Sequence, residues 1–313
     1  MSKLKLFTNT ELPESEYHGD EYKDHLSGSE LWEFLSKCPA EAVYGEKKES
    51  ASLITGSAAH SEVLEMHSFN ELYYRGYEPT EDCLTSDAAI KKYLKDKGRT
   101  GFSNKTGEVL WEAVRQCDPN QHCLREKEKI YAEANEGKQL LPFSVYDDCK
   151  AMREQLMQYP LYSQAVIDGD CEYSIVGEME IGGVTVKVKS RPDIIHNGAI
   201  INYKTTTDAS PDKIVRDGFN FGYLMKEFFN AIVFEALHGY FPVVRILAQS
   251  KKKPYVCTGI TLTEEQIEIG RLQFEKAFAL WKACKDAGAY IDHAQGEWLE
   301  VETPQYMISQ TVN

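Results

Sequence analysis

No two cysteines in this 313-residue chain are spaced as CxxC; the eight that occur (Cys38, Cys83, Cys117, Cys123, Cys149, Cys171, Cys257, Cys284) are scattered. Zinc-ribbon and thioredoxin-type sites therefore lack support, and in a large chain without an export signal the thiols are expected to be reduced, in the cytoplasm. Also missing is any apolar run of about 18 residues, the length a membrane-spanning helix needs. The N-terminal segment MSKLKLFTNTELPESEYHGDE has no continuous apolar stretch of the kind that marks a secretory signal. There is no phosphate-binding P-loop, no GxGxxG, no HExxH and no GxSxG, which removes support for helicase-type ATP use, a Rossmann cofactor, zinc proteolysis and α/β-hydrolase chemistry. Basic charge is scarce: 35 Lys and Arg face 49 Asp and Glu, a net −14 that excludes a uniformly basic nucleic-acid coat. Residues 165–260 carry the two signs in about equal number, so a local basic track stays open.

What is present is a core: 42% apolar residues against 27% charged. Residues 1–25 are polar and acidic and read as an arm, leaving 26–313 as the main domain. Ser27-Gly28-Ser29-Glu30 is a helix start ahead of Leu31, Trp32, Phe34 and Leu35, with Pro39 at its end. A second helix is expected from near Gly56, carrying Ala59, Val63, Leu64 and Met66. Residues 80–116 read as a small helical insertion: a helix with Ile90, Tyr93 and Leu94, a stop at Gly98, a polar turn, and a helix with Val109, Leu110 and Val114. Its size suits a SAP-type nucleic-acid-binding hairpin or a plain insertion. Two further helices are expected over 124–135 and 143–158.

From Cys171 the period changes to two. Strands are expected at Glu172–Val176, in a hairpin Glu178–Ile181 and Val184–Lys189 across Gly182-Gly183, and at Ala199–Lys204, apolar enough to be central. A long helix from Gly222 to Leu237, strands at 243–249 and 255–262 around a Lys-Lys-Lys-Pro turn, and a final helix capped by Thr263 complete the pattern. Strands framed by helices in this order give an α/β (α+β) domain with a mixed sheet flanked by helices.

The chemistry concentrates at Arg191-Pro192-Asp193 and Asn202-Tyr203-Lys204. In a hairpin, an acid on one strand and a residue near the end of its partner converge on one point. A carboxylate there can hold a hard divalent cation, which polarises a phosphodiester and activates water. Lys204, two residues past position 202, shares its strand face and can orient water or stabilise developing charge. This is the layout of PD-(D/E)XK nucleases, with Asn202 standing where the second acid belongs. Upstream, Gly56-Ser57-Ala58-Ala59-His60 lets a helix approach closely and offers His60 as a nitrogen ligand.

Taken together, the Ser-rich first helix ending in Pro-Ala, GSAAH followed by Leu64-Glu65, Glu172-x-Ser174, RPD, Asn202-Tyr203-Lys204-Thr205-Thr206 and Gly222-Tyr223 resemble the phage and prophage exonuclease VIII (RecE-type) family, relatives of lambda exonuclease and the RecB nuclease domain. The resemblance covers roughly residues 25–240. It implies a PD-(D/E)XK core, Mg²⁺ or Mn²⁺, and processive 5′→3′ digestion of one strand of linear duplex DNA in the bacterial host cytoplasm. It also implies a ring-like homo-oligomer and a single-strand annealing recombinase as partner. Carried across, His60, Asp193 and position 202 would be metal ligands, Lys204 the catalytic lysine, Glu172 an assisting acid, and Tyr223 a residue lining the site.

Two positions depart: the family usually has Asp at 202 and Gln where Lys226 stands. A neutral amide holds a divalent cation less well than a carboxylate. Asn202 is compatible with an introduced change, a natural inactivation or a tolerated one. Lys226 offers a phosphate contact, as do Arg191, with Lys187 and Lys189 along its strand, and Lys251–Lys253 in their turn. Two functions remain: a metal-dependent exodeoxyribonuclease, or an inactive nuclease fold that binds DNA ends or a protein partner, for example as a nuclease inhibitor.

Overall fold

The structure, a computed structural model, describes residues 3–46, 51–304 and 307. The arm expected over 1–25 is, from Lys3 onward, part of the fold. β1 (Lys3–Phe7) pairs antiparallel with a later strand, and α1 (Glu14–Tyr17) seats Tyr17 beside Leu12 and Val176. Lys3-Leu4-Lys5-Leu6-Phe7 carries the period-two alternation of a strand, a short signal that the polar, acidic composition of the surrounding segment masks. The Ser27 hydroxyl accepts from the Glu30 amide and opens α2 (Gly28–Ser36); Pro39 both follows that helix and starts α3 (Pro39–Tyr44). α4 (Ala51–Leu64) starts before the expected Gly56, and Met66 belongs to the next helix, α5 (Met66–Leu72), which runs into β2 (Tyr73–Arg75).

The expected insertion is present as α6 (Asp87–Asp96), capped by Ser86, and α7 (Glu108–Cys117). It has a core of its own in Ile90, Leu94, Leu110, Trp111, Val114 and Cys123. Its ends meet, because the Leu84 amide donates to His122 O at 2.9 Å and the Leu124 amide to Leu84 O at 3.0 Å. α8 (Leu124–Ala134), β3 (Gln139–Leu141, parallel to β2), α9 (Phe143–Leu156) and α10 (Pro160–Asp168) follow.

After β4 (Asp170–Cys171), the two strands expected at 172–176 and 178–181 are one, β5 (Ser174–Ile181), in a hairpin with β6 (Val184–Ser190). β7 (Ile194–His196) and β8 (Ala199–Thr206) are joined by Asn197-Gly198, both at positive φ (49° and 73°), the two-residue turn whose twist suits a tight hairpin. α11 (Pro211–Asn220), unexpected from the pattern, and α12 (Tyr223–His238) cross over to β9 (Val243–Ser250), which lies parallel to β8. β10 (Cys257–Thr261) and α13 (Glu264–Ala287), opened by a Thr263–Gln266 capping box, complete the chain of elements.

The strand orders are β1-β5-β6 and β10-β9-β8-β7-β4, so β8 is central, as its composition predicts. Both faces of the larger sheet are covered. On one, Ile200, Val244 and Ile246 pack with Phe229 and Phe234 of α12 and Phe274 of α13. On the other, Ile201, Tyr203 and Leu247 meet Val63 and Leu64 of α4. Alternation along β8 therefore puts Asn202 and Lys204 on the α12 side. The helices come close through small residues: Ala58 and Ala59 of α4 are fully buried, and a Cβ on Gly56 would lie 3.5 Å from Thr205 Oγ1. No helix among the described residues is long and apolar enough to cross a membrane.

Candidate metal centre

Asp193 sits just before β7 and is the hub. Its Oδ2 accepts the Tyr203 amide at 2.7 Å and Lys204 Nζ at 3.3 Å, and His60 Nε2 lies 3.2 Å away. Burial would raise its pKa, but Lys204, His60 and the Tyr203 amide hold the carboxyl below its usual range. His60 reaches in from α4 between two acids, with Nδ1 3.5 Å from Glu172 Oε1. Burial opposes its protonation, and Asp193 and Glu172 outweigh burial, so its pKa is raised.

Glu172 does not lie in a strand as expected. It links β4 to β5 with φ at +59°, a left-handed conformation that costs energy for a residue with a Cβ. That turn brings its carboxylate inward, where burial pushes its pKa up against the pull of His60. His60, Glu172 and Asp193 offer ligand atoms that all lie within 4.8 Å of one another.

Lys204 stays cationic because Asp193 and Glu227 outweigh its burial. Its Nζ is 6.0 Å from the centre of the Tyr223 ring, and Lys226 Nζ approaches the same ring at 5.6 Å. Burial, then Lys204, lowers the Lys226 pKa to about 8. Tyr223, Lys226 and Lys204 thus form one cluster at the start of α12.

Asn202 is 6% exposed, and its Nδ2 donates to Glu227 Oε1. Glu227 was not singled out from the sequence. The signal was present: Leu224, Glu227, Phe228 and Ala231 have the i, i+3, i+4, i+7 spacing of a buried helix face, with an acid in an apolar series. Burial and Asp193 push its pKa up to about 7 against Lys204.

Arg191, expected as a DNA contact, lines the cavity over Asp193 and is engaged within the fold. Its Nε donates to Ser174 Oγ at 2.7 Å and its Nη2 to Leu12 O at 2.5 Å, with the guanidinium over the Tyr17 ring. Lys189 is buried and donates to Tyr17 O at 3.0 Å. Lys189 of β6 and Arg191 just past its end thus fasten the N-terminal segment around Leu12 and Tyr17, while Lys187 is exposed.

The residues fit a divalent cation. Two buried oxygens of the group, Glu172 Oε1 and Asn202 Oδ1, accept no hydrogen bond, and a cation would relieve that desolvation cost. The donors are oxygen and imidazole, suited to Mg²⁺ or Mn²⁺. A cavity of about 630 Å³ opens over His60, Glu172, Lys204 and Lys251, and one of about 180 Å³ over Asp193, Asn202, Lys226 and Glu227; Lys204 lines both. A second grouping, Cys38, Glu41 and His293, uses its sulfur as the cap of α3, accepting the Glu41 amide at 3.5 Å.

Residues 27–295 match the family described as PDDEXK-like domain of unknown function (DUF3799). The chain belongs to that family. Among solved structures, a "Putative exonuclease" from Eubacterium rectale aligns over 95% of this chain and 98% of its own, at TM-score 0.55 and 12% identity, a likeness of fold. A structure described as SSO0001 covers 72% of this chain and 85% of its own at TM-score 0.27 and 12% identity, too distant to bear on the fold. No curated protein matches in sequence.

Proposed function

We propose that this PDDEXK-like protein is a divalent-metal-dependent exodeoxyribonuclease that degrades one strand of linear duplex DNA, 5′→3′, in phage-type recombination. The observation that carries the reading is Asp193 held simultaneously by Lys204, the Tyr203 amide and His60, with Glu172 alongside. His60, Glu172, Asp193 and Asn202 would hold Mg²⁺ or Mn²⁺, which when bound polarises a phosphodiester and acidifies water. Lys204 keeps Asp193 ionised and presents a cation to charge developing on phosphate. Lys251, which lines the larger cavity, is placed to meet a flanking phosphate. Phe219 and Phe221, each 52% exposed beside Tyr223, offer rings on which an end base can stack. The ring-like homo-oligomer, the annealing recombinase and the host cytoplasm belong to the same reading and are supported by the order of motifs alone.

Asn202 favours a second reading, a DNA-end or partner-binding protein with its chemistry disabled. End-labelled linear duplex incubated with Mg²⁺ or Mn²⁺ separates the two, using this protein, its Asn202→Asp variant and Lys204→Ala. Digestion by the unaltered protein, lost in Lys204→Ala, supports the enzyme. Retention of ends without digestion by any of the three supports the binder.

A further inference from the structure

Asn202 and Glu227 are coupled. Glu227 is only 2% exposed, and besides Asn202 Nδ2 its Oε1 receives Asn230 Nδ2 at 3.3 Å; Ser190 Oγ in turn donates to Asn230 Oδ1 at 2.8 Å. Asn202 presents its nitrogen to Glu227, the arrangement an ionised carboxylate requires because it only accepts; a cation bound beside the pair would favour that ionised form over the protonated one that burial promotes. The other end, Oδ1, is left buried without a hydrogen bond. Asp193, Asn202, Lys204 and Glu227 line one cavity. An aspartate at 202 would put two carboxylates in buried contact, whereas Asn202 with Glu227 carries at most one negative charge over the pair. The acid missing from the strand is thus supplied by the helix, one hydrogen bond away.

We infer that Glu227 is a positioning residue that supplies, through Asn202, the negative charge and fixed orientation with which position 202 helps to hold a divalent cation. This rests on the metal-dependent reading of the same site. The role of Glu227 is to aim Asn202 Oδ1 and to keep the local charge of the centre close to that of an Asp-bearing site. Outer partners of metal ligands commonly change affinity by about 10–100-fold when removed.

The test is calorimetric titration of the metal-free full chain with Mn²⁺ alone, on the unaltered protein, His60→Ala, Glu227→Gln, Asn202→Asp and the exchanged pair Asn202→Asp/Glu227→Gln. Glu227→Gln is expected to weaken Mn²⁺ binding by about tenfold or more, and the exchanged pair to recover most of that loss. Melting without metal gives an independent arm that does not need Glu227→Gln to fold. There Asn202→Asp is expected to melt below the unaltered protein and to gain more from Mn²⁺. Unchanged Mn²⁺ affinity in Glu227→Gln, with His60→Ala still impaired, overturns the role of Glu227 and leaves the metal site standing. An Asn202→Asp variant as stable as the parent without metal does the same. No Mn²⁺ uptake by the unaltered protein overturns both.

Discussion

Lys204 and His60 touch the same oxygen of Asp193, yet they serve different ends. The lysine keeps the carboxylate charged; on the proposed reading it would also face phosphate, and the imidazole would be a metal ligand. Lys204→Ala should therefore lower the DNA cleavage rate by roughly two orders of magnitude or more, while Mn²⁺ binding measured by calorimetry persists. His60→Ala should lose Mn²⁺ binding first, with cleavage failing as a consequence. Equal loss of metal by both would contradict this division. Position 202 shows the complementary point: Asn202 is buried with its amide nitrogen on Glu227, so its chemistry is set together with that partner. Spacing on paired strands made Asp193 and Lys204 legible as neighbours, and the resemblance singled out His60, which the structure brings to 3.2 Å from Asp193 Oδ2. Glu227 was legible only as an acid in an apolar helical series, since its contact with Asn202 crosses 25 residues and two elements.

At the scale of elements, the site depends on where α2, α4 and α12 are pinned. Gly222 starts α12 in the left-handed region with φ 71°, and a Cβ there would fall 2.1 Å from Cδ2 of the Trp32 ring on α2. Gly222→Ala should cost several kcal/mol from backbone strain and overpacking together, read as a lowered denaturation midpoint. It should also disturb Tyr223, the next residue. β6 makes a second case. Its alternating cations suggested a DNA track, but Arg191 and Lys189 bind the carbonyls of Leu12 and Tyr17. Arg191→Ala is expected to cost about 2 kcal/mol in stability from lost charged hydrogen bonds, without changing the salt dependence of DNA binding. A reduced salt slope would restore the DNA-track reading. Alternation marks which way a side chain points; what lies there is set by the Leu12–Tyr17 segment, more than 170 residues away in the chain.

For the whole molecule, the helical insertion and the titration of the centre make separable predictions. Leu84 and Cys123 are bridged, and the insertion buries its own core. Replacing residues 85–122 with a short glycine linker should leave Mn²⁺ affinity intact and lower stability only modestly. If affinity for duplex ends falls while metal binding holds, the insertion is a DNA contact. If the excised protein fails to fold, its independence is refuted. The buried acids give the metal-free protein an unusual pH profile. Glu227 rises from 4.5 to about 7 on folding, so the folded state binds the extra proton and stability falls as pH climbs through that window. His60, whose pKa is also raised, adds a loss of the same sign above 6.5. Glu172, raised to about 8, acts in the same direction, so melting temperature without metal should decline between about pH 4.5 and 8, and Mn²⁺ should restore it most at the upper end. A flat profile would mean that these groups titrate as they do in the unfolded chain.

The sequence by itself determined most of the helices and strands, the central β8, the helix pair at α6 and α7 and the Asp193–Lys204 spacing, because each is set by local alternation, caps and turns. The tertiary structure decided that the N-terminal segment is bound by Arg191 and Lys189, that Glu172 turns inward through a left-handed backbone, and that Asn202 is paired with Glu227. Those three depend on contacts between segments far apart in the chain, where the burial of one side chain is fixed by another element's position and no local pattern records it.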